Sequence, residues 1–555
     1  MSGRVAAFLP VWFAAWGGLS WLTACSGHSK NGASWASGGS APAAGGQRDG
    51  VGGSGVGGAH TAANAGASGA GTAAVSGSNA AGAGAGGGNG GAAANAGGTG
   101  ASGAGGSAAS AAGGATAAGG TDPCPALPSA PIPTAAITQF NDNGAWNWFQ
   151  DERAVVDRAK NKFVIGSVAS GGERDGHVEA VVYDVATGTK QLFTLGTSLQ
   201  AYPDDHNSPA FLVRPDGKYF AMWAGHRLDC YSRTSIFDGS AWSPEALFSW
   251  TSVGCPWLGS DTYRITYANP WYIGSAIFAA ARSVDTTPAL LTSNDDGKTL
   301  SYYGRLVATP NVGFVAGYYK YWGNNTDRID FVGTEAHPRD ANTSLWHGYL
   351  KGGKIFDSND AVVDDNAGDN AAQPLGHFTK AVTTGITLGS VTLDHLWNHD
   401  IVRYADGTIA ILGQGRVMGS LNDDPDLRLI YARFDGTSWR ASYLGKAGHK
   451  LFADEQDYTG LGALHPETPN IIFVSTSVDP RDDTTLLTRH ELFEGVTCDG
   501  GTTWHWAPLT QDSKVDNIRP VVPKWDASHT LLLWLSGTYN TSQLYRLAVV
   551  GSTEL

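Results

Sequence analysis

The chain has 555 residues, a formal net charge of −14 and 76 glycines. That charge argues against nucleic acid as a partner. It also argues against capture of a polyanion by the overall field, so an anionic ligand would need a local cationic site.

Residues 1–25 read as a lipoprotein signal. Arg4 supplies the positive start, Val5 to Leu22 is mostly apolar, and Leu22-Thr23-Ala24-Cys25 matches a lipobox with Cys25 as the lipidated residue. Ser26 after the cysteine, in place of Asp, favours anchoring to the outer membrane, at the cell surface. Residues 26–129 are dominated by Gly, Ala, Ser, Asn and Thr. Such a stretch has little apolar surface to offset its chain entropy, so it is expected to be a disordered tether. Its r.m.s. span would be roughly 50–60 Å. It has no strict Gly-X-Y period, which excludes a collagen-like reading.

Residues 130–555 carry most of the aromatic residues and are long enough for one large core. Short apolar runs alternate with turn signals. Phe163–Ala169, Ala180–Tyr183, Ala210–Val213, Tyr219–Trp223 and Ile409–Leu412 read as strands. Arg214-Pro-Asp-Gly217, Phe237-Asp-Gly239, Ala405-Asp-Gly407 and Phe434-Asp-Gly436 read as turns between them. No long amphipathic helix is evident, so the fold class is all-β. Ser293-Asn-Asp-Asp-Gly-Lys-Thr299 and Thr497-Cys-Asp-Gly-Gly-Thr-Thr-Trp504 fit an Asp-box, Ser/Thr-x-Asp-x-Gly-x-Thr-Trp, the first with Leu300 in the Trp position. In such a hairpin the Asp bonds the backbone of its own turn, which makes it a folding device. The strand spacing predicts a β-propeller of seven blades, six being the alternative, at about 60 residues each.

Setting Cys25 aside leaves four cysteines in an exported chain, an even number that suits disulfides. Cys230 and Cys255 are expected to pair, and Cys124 to tie the start of the domain to Cys498. His395 and His399 look metal-like by composition, but their spacing on a strand does not suit a helical zinc pair.

Motifs in order along some 400 residues resemble the BNR-repeat family that contains the propeller-type ulvan lyases. They are Asn143-Gly-Ala-Trp-Asn-Trp148-Phe-Gln-Asp-Glu-Arg153, Asp204-Asp-His206-Asn207-Ser-Pro209, Ala224-Gly-His226, Thr266-Tyr267-Ala-Asn-Pro270, Thr334-Glu-Ala-His337-Pro-Arg339, Glu455-Gln-Asp-Tyr458-Thr-Gly460 and Arg519-Pro-Val-Val-Pro523. The resemblance implies a groove at one end of the propeller. It further implies that His206 and Tyr267 act as base and acid while His226 and Arg282 neutralise a uronate. Asn207, His337, Tyr458 and Trp148 are the secondary candidates for substrate binding. Trp148 would stack on a sugar face, although core packing is the commoner fate of such a residue.

Removal of a proton beside a carboxylate needs charge neutralisation, a base and an acid for the leaving oxygen. The expectation is therefore a polysaccharide lyase that cleaves a uronate-containing polymer and acts as a monomer. The chemistry needs no cofactor, and a structural calcium or zinc ion is left open. Relatives in the same family include enzymes that act on terminal rhamnose linked to glucuronate. An exo-acting α-L-rhamnosidase is thus one alternative, and a non-catalytic glycan-binding propeller is another.

Overall fold

The Asp-Gly signals mark hairpins. In Arg214–Lys218 the Arg214 N–H donates to the Lys218 carbonyl at 2.8 Å, and Gly217 sits at φ +74°. That left-handed position explains the Gly of the turn. Repeated along the chain, such hairpins build antiparallel sheets. The computed structural model describes residues 124–226, 228–255, 265–283, 286–308, 317–453 and 455–555. Cys25, the signal segment and most of the expected tether lie outside the described residues.

Seven antiparallel sheets form a seven-bladed β-propeller, and no α-helix occurs among the described residues. The inner strands are Ala154–Asp157, Ala210–Val213, Thr266–Ile273, Tyr319–Gly323, Val391–Arg403, Gly462–Leu464 and Asp516–Val521, for blades 1 to 7 in chain order. Blade 7 is closed by the start of the domain. Thr138–Asn141 pairs with Leu544–Ser552 and so supplies its outermost strand. This closure leaves no open edge between the first and last blades.

Both Asp-boxes form between the third and fourth strands of their blades, 3 and 6. Asp295 accepts from Thr299 N at 2.9 Å, and Asp499 accepts from Thr503 N at 2.9 Å. These bonds, with the threonine hydroxyls, hold both carboxyls down at about 2. A Cβ on Gly297 would meet Phe220 of blade 2, and one on Gly501 would meet Tyr431 of blade 5. Each box therefore also presses its blade against the preceding one.

The axis is filled by the segment 145–153. The Trp148 indole N–H donates to the Asn398 carbonyl at 3.3 Å, and Lys320 Nζ donates to the Trp148 carbonyl at 2.7 Å. The Phe149 ring lies 5.4 Å from Tyr267 and 4.9 Å from Tyr318. One segment thus contacts blades 3, 4 and 5 and plugs the channel. The plug separates two mouths. One lies at the starts of the inner strands. The other, at their far ends, holds a cavity of about 510 Å³ lined by Trp271, Tyr321, Trp322, Asp400 and Lys524.

Two disulfides are present, Cys124–Cys498 and Cys230–Cys255. The first ties the chain ahead of the closing strand to the blade 6 Asp-box. A cross-link over 374 residues constrains the unfolded chain strongly. Cys498→Ser is expected to lower stability by about 2–5 kcal/mol in denaturant unfolding, by the usual disulfide magnitude.

Candidate active site

The mouth at the strand starts is built around two consecutive aspartates. Pro203 and Pro209 flank the short 3-10 turn Asp205–Asn207 and keep it from extending into a helix. Asp204 caps the turn, accepting from His206 N at 3.0 Å. Both carboxylates are buried; they share His206 and otherwise engage different partners.

Asp204 ties two imidazoles together. Its Oδ1 lies 2.6 Å from His206 Nδ1, its Oδ2 lies 2.9 Å from His226 Nδ1, and Gln543 Nε2 donates to Oδ2 at 2.9 Å. The two rings stack with centroids 4.0 Å apart. Asp205 faces blade 7. It accepts from Tyr539 Oη at 2.7 Å and from Arg519 Nη1, and its Oδ1 lies 2.7 Å from His206 Nδ1.

The charge states follow from this arrangement. Burial works against a cationic His206, but Asp204 and Asp205 outweigh it and raise the ring to about 9. One contact pulls the other way. Asn147 Oδ1 accepts from Phe149 N at 3.1 Å, which turns its NH2 toward His206 Nε2 at 3.1 Å and suits a neutral ring. Charge balance decides the matter. Two buried carboxylates need two cations, and Arg519 supplies only one. His206 is therefore the second cation. His226 is pushed down to about 4 by burial and by the neighbouring His206 charge. It is neutral near pH 7, with Nδ1–H held by Asp204. Its Nε2 has no hydrogen bond among the described residues.

Tyr267 and Arg282 meet at the same rim. Tyr267 stands at φ +69°, where the register of blade 3 shifts between Thr266 and Asn269. The same device recurs at His395 (φ +48°) in blade 5 and Arg519 (φ +53°) in blade 7, each beside a register shift. Left-handed backbone is costly for such residues and redirects their side chains. The Tyr267 ring lies 5.8 Å from His206, and the Arg282 guanidinium sits 4.8 Å from the Tyr267 ring and 5.3 Å from Tyr318. Burial drives the Tyr267 phenol well above 10 and outweighs the lowering by Arg282. Tyr267 thus keeps its proton.

The Tyr267 hydroxyl and Arg282 Nη1 are buried without hydrogen-bond partners. Arg282 also lacks a carboxylate partner among the described residues. Buried groups of this kind are rare, and a bound ligand that accepts or donates would complete them.

The four primary residues are brought together. The secondary ones sit differently. Asn207 spends its Oδ1 on His226 N at 2.6 Å and its Nδ2 on the Tyr202 carbonyl at 3.1 Å. It positions His226 through its Oδ1. Trp148 is 2% exposed, with its N–H used internally. It forms the floor in place of a stacking face. Tyr458 is buried 5.0 Å from the Trp148 ring and belongs to the same floor. His337 is buried against Tyr318 and Trp397, accepts from Arg339 N at 3.1 Å, and is lowered to about 3 by burial. His395 bonds Asp394 at 2.8 Å while His399 is buried. The two do not share a metal-type cluster among the described residues. Asp204, Asp205, Asn147, Tyr318, Arg519, Tyr539 and Gln543 complete the site. The aromatic that does stand exposed beside this turn is Tyr202, at 58%.

No family model matches the chain, and no curated protein is significantly similar to it in sequence. Solved structures are similar in fold. An ulvan lyase of polysaccharide lyase family PL25, bound to -[GlcA(1-4)Rha3S]-, has a TM-score of 0.54 at 12% identity, covering 74% of this chain and 94% of its own. The polysaccharide lyase Uly1 has a TM-score of 0.43 at 13% identity, with coverages of 73% and 89%. An α-L-arabinofuranosidase from Fusarium graminearum has 0.36 at 11%, with coverages of 62% and 91%. The first of these shows a propeller fold shared with ulvan lyases, and the other two carry no further weight.

The unpartnered Tyr267 hydroxyl has a measurable consequence. Removing a buried hydroxyl that bonds nothing is nearly neutral or stabilising. Tyr267→Phe is expected to leave the thermal unfolding midpoint unchanged or raised, whereas Asp204→Asn, which removes the carboxylate that His206 and His226 share, lowers it. Differential scanning calorimetry of the two variants checks both.

Proposed function

We propose that the protein is a polysaccharide lyase that cleaves a uronate-containing polymer by β-elimination. The observation that carries this reading is the convergence of a buried phenol, Tyr267, and a guanidinium nitrogen, Arg282 Nη1, both without hydrogen bonds, on a carboxylate-tied histidine pair. In this reading the uronate carboxylate sits against Arg282, whose Nη1 makes no hydrogen bond. Neutralisation there acidifies the C5–H bond. The His206–His226 pair takes the C5 proton. The resemblance leaves that step open between His206 and Tyr267, whereas the electrostatics favour the open Nε2 of neutral His226, with His206 holding the positive charge. The C5 electron pair forms the C4–C5 double bond, the C4–O4 bond breaks, and Tyr267 protonates O4.

The ligand named for the similar ulvan lyase, a glucuronate linked to 3-sulfated rhamnose, suggests the substrate class: a sulfated, rhamnose-bearing uronate polymer such as ulvan. Arg282 supplies the local cationic group that a chain of charge −14 needs for an anionic glycan. The lipobox and tether would hold this domain at the outer membrane, facing its substrate.

Mixing the protein with ulvans, glucuronans and rhamnosyl-glucuronate glycans is expected to produce the ultraviolet absorbance of an unsaturated uronate on at least one of them. His226→Ala and Tyr267→Phe are each expected to lower kcat/KM by about 10²–10⁴-fold, the usual worth of an acid or base. Free rhamnose without that absorbance would overturn the proposal in favour of a hydrolase. Binding without turnover would overturn it in favour of a glycan-binding module.

The pH profile follows from the signs of the two shifts. The base must be unprotonated, so kcat/KM falls as pH drops through the lowered value of His226, about 4. The cation must stay charged, so activity falls again as pH rises through the raised value of His206, about 9. The apparent values belong to the coupled pair. A lower limb near the ordinary histidine value of about 6.5 would contradict this assignment.

A further inference from the structure

A second histidine cluster lies outside this site, where blades 5, 6 and 7 meet. His490 is in the blade 6 strand Leu486–Val496, is fully buried, and neither ring nitrogen makes a hydrogen bond. His449, in the connection after the blade 5 strand Trp439–Lys446, is exposed, with its ring centroid 4.5 Å from that of His490. Its backbone is held by His449 N donating to Ser477 Oγ at 2.9 Å. Asp516 opens the inner strand of blade 7. Its Oδ1 accepts from His490 N at 3.0 Å and lies 3.5 Å from His490 Nδ1. One ligand atom from each of the three residues lies within 4.8 Å of the others.

We propose that His449, His490 and Asp516 bind a divalent transition-metal ion of the zinc class. A buried imidazole whose ring nitrogens make no hydrogen bond is costly unless something else takes up a nitrogen. Two imidazole nitrogens and one carboxylate oxygen are a zinc-type donor set, and three protein ligands leave a fourth position for water. Calcium requires six to eight oxygens and does not fit. Ligands around a tetrahedral zinc stand roughly 3.4 Å apart at the usual bond lengths. The His490–Asp516 pair already has that separation. The exposed His449 side chain, whose ring already lies against His490, would turn to close the rest. Arg489 Nη1, 3.6 Å from Asp516 Oδ2, competes for the carboxylate, but its side chain is 44% exposed and can swing into solvent. The bound ion would join the end of blade 5 to blades 6 and 7, the last joints before ring closure.

A second set with metal-type spacing, Asp204, His206 and His226, is the alternative receptor for zinc. Its carboxylate is already engaged by both rings and by Gln543. The test is calorimetric titration of the untagged, metal-stripped full chain with Zn²⁺, with Ca²⁺ as control. One Zn²⁺ per chain is expected, with no Ca²⁺ binding and a thermal midpoint that rises with Zn²⁺. His449→Ala, on an exposed side chain that leaves the fold intact by circular dichroism, is expected to abolish the binding and the rise. His226→Ala is expected to retain both. With Co²⁺ in place of Zn²⁺, the visible absorption of a tetrahedral site should appear in the wild type and vanish in His449→Ala. Zn²⁺ binding that survives His449→Ala, or that is lost in His226→Ala, would overturn the proposal, as would the absence of Zn²⁺ binding by the wild type. None of these readouts depends on the lyase reading.

Discussion

Two adjacent buried carboxylates, Asp204 and Asp205, set the terms for the rest of the site. Burying even one uncompensated charge costs several kcal/mol, and two in sequence repel each other as well. The structure meets this by surrounding them with donors. Asp204 gathers His206, His226 and Gln543, and Asp205 gathers Arg519, Tyr539 and the same Nδ1 of His206. Blade 2 is thereby tied to blade 7 across the point where the ring closes. The same bonds impose unequal charge states on two stacked imidazoles, one raised and one lowered. Two imidazoles with opposite affinities for a proton arise here from the electrostatic requirement of the fold at that spot.

The axial plug is the complement of this network. Trp148 and Phe149 fill the channel with apolar surface, so Tyr267, Tyr318 and Arg282 stand on a dry floor. Low dielectric keeps the Tyr267 phenol protonated and makes Arg282, which has no carboxylate partner among the described residues, a stronger attractor of an anion. A protein of net charge −14 can therefore offer a local cationic group without a basic surface.

Much of the fold was legible in the chain because its signals are local. Asp-Gly turns, Asp-boxes and short apolar runs each follow from a few neighbouring residues, and their spacing gave an all-β propeller of seven blades. His206, His226, Tyr267 and Arg282 were found as sequence motifs, and the structure gathers them at one mouth. What stayed hidden depends on contacts between distant residues. Arg519 and Asp205 are 314 residues apart, and nothing in Arg519-Pro-Val-Val-Pro announces an ion pair. The bulges that give Tyr267 and Arg519 positive φ arise from strand register, which single-sequence patterns do not specify. Asn207 and Trp148 looked available for a sugar because a sequence shows residue types but not which of their polar atoms are already bonded. Asp204 stood beside His206 throughout. Its consecutive pairing with Asp205 was the signal that could have pointed to a compensated buried cluster.

The central claim is that bond cleavage here is an elimination. It is tested most directly by digesting ulvan in water labelled with heavy oxygen and weighing the products. Elimination adds no water, so the account predicts products that carry no label and end in a uronate one water lighter than a hydrolysis product. Incorporation of one labelled oxygen at each cleavage, with saturated ends, would contradict it.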